Sequence, residues 1–381
     1  MFLLPLSLIV LLFMMWRFVL PLKASLWVKI CIAFVVALTS CKYLIYRYIG
    51  GSIAGPELPQ AFLVSMEVLF ITLLGTAAFV GLRDGLAVLV WILRKVGLVG
   101  QDVHVPSLSA KLAGVFVLVP LIFASYGVWN ATKVPDVKTI EITIPNLPKE
   151  FDGFVIAQLT DTHIGPILQK EWLDEVVART MAIDADLIVF TGDFIDGTAA
   201  NVAPMISALA DLKAPYGVFG VMGNHEYISE MPQWDRVFKK LGLDMLHNEY
   251  RHIKRGDATL ILAGVTDPAS MRHGLTPPDR AKALAGQSGD TQERNSFIVL
   301  LDHQAKNAFQ NPHADLQLSG HTHGGQMYLF EYVVAAANGG YVRGLYEQDG
   351  QQMYVSPGAG LWHGFSCRIG IDSEITKIIL R

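Results

Sequence analysis

The feature that most constrains this chain is the uneven placement of its charge. Of its 64 Asp, Glu, Lys and Arg residues only 13 lie in residues 1–130, and four long runs there are almost free of them. Residues 2–22 are apolar except for Arg17, and residues 26–41 continue the pattern, running on to about Tyr48 if Lys42 and Arg47 snorkel. Residues 60–82 and 112–129 are two more such runs. Each is near the roughly 20 residues an α-helix needs to cross a bilayer. The expected organisation is a transmembrane helical region of about four spans over 1–130, a linker over 131–150, and a soluble domain over 151–381 large enough to bury its own core. The first run lacks a basic start and a small-residue cleavage site, so it reads as retained and not as a removed signal.

Residues 83–98 (RDGLAVLVWILRKVGL) have a short apolar centre closed by Arg94 and Lys95, and read as an interfacial helix or an extension of the third span. With four spans, the first and third loops carry Arg17, Lys23, Lys29, Arg83, Arg94, Lys95 and Lys111, whereas the second carries Lys42 and Arg47. The positive-inside rule then puts the basic loops in the cytoplasm and both termini outside. The soluble domain is then expected on the outer face of the membrane; a fifth span would reverse this. Glu67 falls inside the third span, where a carboxylate is either functional or close enough to the interface to reach water. Three cysteines, two of them in apolar runs, define neither a disulfide framework nor a thiolate metal site.

Behind the membrane region the pattern changes. Pro135, Pro145 and Pro148 surround one alternating run, TIEITI, which reads as a strand within the linker. From residue 154 short β-rich runs alternate with amphipathic stretches: FVIAQLT, a helical 170–183, DLIVFTGD, a helical 202–213 and YGVFGVMGNHE. After a helical 232–242 come TLILAGV, SFIVLL, LQLSG, QMYVS and ITKIIL. Such alternation predicts an α/β domain. Ten of the 11 histidines fall after residue 150, and the residues after 130 carry about −9 of charge against +5 before them. An acidic soluble part without a basic stripe excludes nucleic acid as a macromolecular partner.

The polar residues sit at strand ends. Asp161 and His163 follow the first strand, Asp193 and Asp196 the second, Asn224 and His225 the third, His303 follows FIVLL, and His321 and His323 follow LQLSG. Singly, each has a plain structural reading: an Asp after a strand caps a helix, and Gly-Asn makes a turn. Five strand ends together are harder to explain that way, because in open α/β sheets the carboxyl ends of strands share one rim. Carboxylates, imidazoles and a carboxamide without thiolates suit Mn, Fe or Zn over Ca or a structural zinc.

The motifs DTH (161–163), GDFID (192–196), GNHE (223–226), LDH (301–303) and GHTHGG (320–325) resemble, in that order, those of the calcineurin-like metallophosphoesterases. The resemblance covers roughly 150–381 and is nearest to the membrane-anchored bacterial branch, whose closing strand resembles SEITKII here. It implies a four-layer αββα sandwich and two divalent metal ions, Mn favoured. Carried over by position, Asp161, His163 and His323 bind one metal, Asn224, His303 and His321 the other, and Asp193 bridges them. His225 stays off the metals as proton donor or phosphate contact, with Asp196 orienting its ring. Two ions roughly 3.5 to 4 Å apart can bind a shared hydroxide and stabilise attacking and leaving oxygens of a phosphoric ester.

There are departures from the family pattern. Ala305 replaces a usual Pro two residues after His303, and Trp362 and His363 stand where Gly and Pro are commoner. His363 reads as a surface histidine or a substrate contact, and Arg368 as a phosphate contact or a structural ion pair. The expected activity is hydrolysis of a phosphorylated small molecule or lipid, with a lipid-linked substrate favoured by the bilayer nearby. Two alternatives remain. One is a pyrophosphate hydrolase of lipid A synthesis acting on UDP-diacylglucosamine, whose cytoplasmic substrate runs against the loop charges. The other is a non-catalytic metal-binding membrane protein, which predicts a lost ligand, and none is lost.

Overall fold

The computed structural model describes residues 3–53, 55–286, 295–309, 313–362 and 364–381, and it divides into two units, Met1–Trp129 and Asn130–Arg381.

The first unit is helical: α1 (Leu3–Met14), α2 (Leu26–Ser40), α3 (Lys42–Tyr48), α4 (Gln60–Lys95) and the start of α5 (Ala110–Thr132). Where four spans were expected, two helices among the described residues, α4 and α5, are long and apolar enough to cross a bilayer. A third follows if α2 and α3, bent by 58° at Cys41, form one span. The first run is shorter as an apolar helix, Ser7–Val19, and passes into a π-turn at Met15–Val19. Residues 83–95 continue α4, which at about 1.5 Å per residue outruns the hydrocarbon core of a bilayer. Leu8, Trp27, Trp91, Ile122 and Phe123 point outward, more than half exposed, as lipid-facing side chains do.

Glu67 does not reach water. It is fully buried, with Lys42 Nζ 2.6 Å from Oε2 and the Tyr46 hydroxyl donating to Oε1 at 2.9 Å. Lys42 therefore does not snorkel. Its ammonium turns inward because a buried carboxylate is its partner there, flanked by the faces of Tyr43 and Phe70.

The second unit holds twelve described strands in two sheets. In chain order they are β1 (Asp136–Ile142), β2 (Val155–Leu159), β3 (Leu187–Thr191), β4 (Val218–Val221), β5 (Asp244–Met245), β6 (Glu249–Arg255), β7 (Ala258–Gly264), β8 (Ser296–Leu301), β9 (Leu316–Ser319), β10 (Gly344–Gln348), β11 (Gln351–Val355) and β12 (Glu374–Leu380). The first sheet runs β1-β12-β2-β3-β4-β5 and the second β10-β11-β9-β8-β7-β6. Residues 136–142 of the expected linker are thus an edge strand, paired in parallel with β12.

Period-two alternation builds the layers. In β8, Phe297, Val299 and Leu301 enter the core shared with Ile156, Leu187, Val189 and Val221 of the first sheet. Ile298 and Leu300 face the other way, onto Ala283 and Leu284 at the short helix Arg280–Ala283. Both faces of β8 are covered, which is why SFIVLL reads as one unbroken apolar run. On the outer face of the first sheet Phe190 stacks on Phe194 at 4.5 Å. Phe194 in turn meets Phe238 of the helix Met231–Lys240. The stretch expected as a helix over 202–213 forms 3-10 turns, Ala203–Asp211, with Pro204 at its start.

Strands β2 to β5 are mutually parallel, as are β7, β8, β9 and β11. The carboxyl ends of β2, β3 and β4 therefore share one rim, and those of β8 and β9 another.

Candidate metal centre

Every residue singled out at a strand end lands on those rims. After β2 the chain turns through Asp161 and His163. After β3 it turns through Asp193 and Asp196, and after β4 it enters a five-residue helix whose first residues are Asn224 and His225. His303 follows β8, and His321 and His323 follow β9.

Five of these residues, Asp161, His163, Asp193, His321 and His323, have positive φ between 46° and 71°. Non-glycine residues avoid that region, and such strain collects where a site dictates the backbone. Two glycines give the loops room. A Cβ at Gly223 would lie 2.2 Å from Asp193 Oδ1, and one at Gly320 2.3 Å from Asp161 Oδ2.

The side chains converge. Asp161, His163 and His323 offer ligand atoms that all lie within 4.8 Å of one another, as do those of Asp193, His303 and His321, and those of His163, Asp193 and His225. Asp193 lies between the groups: its Oδ2 is 3.3 Å from His303 Nε2 and 3.8 Å from His163 Nε2, while its Oδ1 accepts the His225 backbone N–H at 2.8 Å. Asn224 Oδ1 is 3.3 Å from His303 Nε2.

Hydrogen-bond partners fix the tautomers. His303 Nδ1–H donates to the Thr191 carbonyl at 2.7 Å, which turns Nε2 toward His321 Nδ1 at 3.2 Å. His163 Nδ1–H donates to Asp196 Oδ1 at 3.1 Å, and its Nε2 faces His323 Nε2 at 3.1 Å. Imidazole nitrogens facing each other across 3.1–3.2 Å must share a proton or a metal ion, and with the carboxylates and the carboxamide beside them the donor set fits divalent ions of the Mn, Fe and Zn class.

The proton balance of the donors agrees. Burial, then the charge of His303, pushes His321 down to about 3, and burial, then His163 and Arg368, holds His323 well below the usual imidazole range, so both offer neutral lone pairs. Burial works against ionisation of Asp193, but His303, His225 and His163 outweigh it and hold its carboxyl well below the ordinary range.

His225 is placed differently. Its Nδ1 lies 2.5 Å from Asp196 Oδ1, its Nε2 is 4.0 Å from Asp193 Oδ2, and its side chain is slightly exposed where that of His163 is fully enclosed. Burial lowers its pKa, but Asp193 and Asp196 together overcome this and push it up to about 10. Asp196 accepts from the rings of both His163 and His225. The alternative reading of Asp196 as a cap does not hold, since the next helix, Ala199–Val202, has Thr198 in that place.

Glu226 was not singled out in the sequence. It is fully buried, and its carboxylate accepts the backbone N–H groups of Gly223, Asp193 and Phe194 at 2.7–3.0 Å, pinning the loop after β3. The signal was a glutamate three residues after Gly223, placed for its side chain to accept the Gly223 N–H at the start of the short helix. Arg368 is buried and donates to the carbonyls of His323, Pro357 and Gly360, so it braces the loop carrying His323 instead of reaching for phosphate or a carboxylate. Ala305 is buried at the start of a single turn and leaves His303 in place. Trp362 is half-buried, and His363 lies outside the described residues.

Two sheets whose parallel strand ends converge on one buried Asp/Asn/His cluster define a metal-dependent phosphoester hydrolase. The chain belongs to the calcineurin-like phosphoesterase family, whose model matches residues 154–325. It is similar to an uncharacterized metallophosphoesterase of Campylobacter jejuni (35% identical, covering 71% of this chain and 69% of that one). It also resembles a transmembrane protein with metallophosphoesterase domain of Danio rerio (31%, covering 69% and 61%) and an uncharacterized metallophosphoesterase of Bacillus subtilis (32%, covering 64% and 86%). The match thus spans less than two thirds of the zebrafish relative's length. Relatives named as transmembrane proteins and the apolar helices together make this a membrane-associated member of the family.

Proposed function

We propose that the second unit hydrolyses a phosphoric ester, with one divalent ion held by Asp161, His163 and His323, a second by Asn224, His303 and His321, and Asp193 shared between them. The observation that carries this is the position of Asp193 Oδ2, which faces His163 on one side and His303 on the other. Bound there, two such ions supply Lewis acidity and lower the pKa of coordinated water.

The chain's own residues do the rest. Glu226 holds the Asp193 backbone N–H, and the His225 backbone N–H holds the Asp193 carboxylate, before substrate arrives. Asp196 takes the Nδ1 proton of His225 in a hydrogen bond, which turns Nε2 outward with its proton toward the leaving-group oxygen. As the ester bond breaks, that proton passes from Nε2 to the departing alkoxide, and the Asp196 contact limits the ring's freedom to tumble.

For the substrate we favour a lipid-linked phosphoric ester. Support comes from the apolar helices on the same chain, and the loop charges favour four crossings with the catalytic unit on the outer face of a bacterial inner membrane.

The test is purification in detergent and a screen of mono-, di- and pyrophosphate substrates with Mn, comparing the wild type with Asp193→Ala and His225→Ala. Asp193→Ala should lose both activity and tight Mn binding. His225→Ala should keep its Mn and lose about 10²- to 10⁴-fold in kcat. A wild type that hydrolyses nothing, or variants that match it, would sink the reading. Reporter fusions at the C-terminus test the outer-face placement, and a cytoplasmic signal would reverse it.

A further inference from the structure

Seven residues beyond His323 the chain enters α6 (Phe330–Ala337), none of whose residues is buried. The stretch 328–337 reads YLFEYVVAAA, with a single charge, Glu331, which is ion-paired to Arg343. Tyr328 is 63% exposed, Leu329 78%, Tyr332 68% and Val333 60%. Leu329 has φ 71°, a conformation that is strained for a branched side chain, and it delivers the leucine to the surface instead of the core. A contiguous apolar surface of this kind marks an interface.

The other side of α6 is braced against the metal centre. Arg343 donates to the carbonyl of Gly324 at 2.8 Å, and Phe330 stacks on Phe365 at 5.8 Å. A Cβ at Gly325 would touch Glu331 Cα at 2.6 Å. The segment is thus an apolar face tied to the turn that carries His323.

The chain itself names the occupant. Helix α5 ends at Thr132 and β1 begins at Asp136, so residues 133–135 alone separate a candidate span from the first strand of the catalytic unit. Extended, they reach at most about 14 Å, which tethers that unit at a lipid surface. Exposed Tyr, Leu, Phe and Val on a short helix with almost no charge are the side chains that partition into the interfacial layer of a bilayer. We propose that Tyr328–Val333 is a second, monotopic membrane contact, inserting into the interfacial layer of the bilayer that anchors the chain. The contact holds the loop of His321 and His323 at headgroup level. It adds to the phosphoesterase reading that the site works on the plane of a membrane.

The test uses the full chain, with Cys31→Ser and Cys41→Ser to clear accessible thiols and Leu329→Cys carrying an environment-sensitive NBD fluorophore. The protein is reconstituted into phosphatidylethanolamine/phosphatidylglycerol vesicles with and without nitroxide-labelled lipid. Emission at 329 should shift to the blue and be quenched several-fold more than the same label at Asp257→Cys, in the exposed turn after β6. Adding Tyr332→Ser and Val333→Ser should bring quenching at 329 down to the Asp257 level, with thermal unfolding in detergent unchanged. Equal quenching at 329 and 257, or quenching indifferent to the two serines, overturns the proposal. Self-quenching that grows with protein-to-lipid ratio while lipid quenching is absent assigns the face to a second copy, and overturns it too. No hydrolysis enters the readout, so a quenched but inactive protein would remove the phosphoesterase reading and leave this contact standing.

Discussion

Asp193 meets three demands at once: a left-handed backbone, one carboxylate oxygen held by a main-chain donor, and the other aimed at two imidazoles. Gly223 is what lets these coexist. Its φ of −96° suits any residue, so the glycine is there for space and not for conformation. Gly223→Ala should displace the Asp193 carboxylate and lower kcat/KM by about 100-fold, on the order expected for a misplacement near 1 Å. Hydrolysis of p-nitrophenyl phosphate at saturating Mn checks it, and activity within a factor of two would show that the loop yields freely. Asp196 makes a separate prediction. It is one of the two charges that push His225 up to about 10 against its burial. Asp196→Asn removes a negative neighbour, the imidazolium loses support, and the alkaline limb of the kcat profile should move to lower pH. A limb that stays put would mean that His225 is not the titrating acid.

At the scale of elements, the donors were legible because each follows an apolar strand, and the parallel order of β2, β3 and β4, and of β8 and β9, carries the rest. FIVLL could be read as a strand buried on both faces, and Phe297 shows the cost of disturbing it. Its ring lies 5.0 Å from that of Phe151 between the two sheets, and Phe297→Ala should destabilise the catalytic unit by about 3–5 kcal/mol in denaturant unfolding. A loss under about 1 kcal/mol would mean that the two sheets do not share this core. Other features left no pattern to read. The strained φ values at Asp161 and His321 come from loops closing on one another in space. Glu226 looks in sequence like any helix-opening glutamate until the loop after β3 folds onto it. Lys42 and Glu67 lie 25 positions apart on different helices, so their pairing shows no helical period. The segment over 202–213 has a helix's apolar spacing, but Pro204 and a tight 3-10 turn fit it too.

For the molecule as a whole, the two units should answer differently to metal. All three donor groups lie in Asn130–Arg381, so Mn at about 100 times its dissociation constant should stabilise that unit by about 2.7 kcal/mol. At about 2–4 °C per kcal/mol for a unit of this size, its melting transition should rise by several degrees, and EDTA should reverse the shift. Calorimetry in detergent decides it, with the transition of the helical unit as internal reference. No movement in either transition would mean that the donors do not bind Mn. The order of the first sheet also sets a timetable for synthesis. Strand β12 lies between β1 and β2, so the sheet cannot close until residues 374–380 have left the ribosome. By then the apolar helices have long been made, and the facing edges of β1 and β2 have stood open throughout. The first sheet therefore closes only late in synthesis, and until β12 arrives two strand edges stand unpaired, the kind of edge that pairs with other chains.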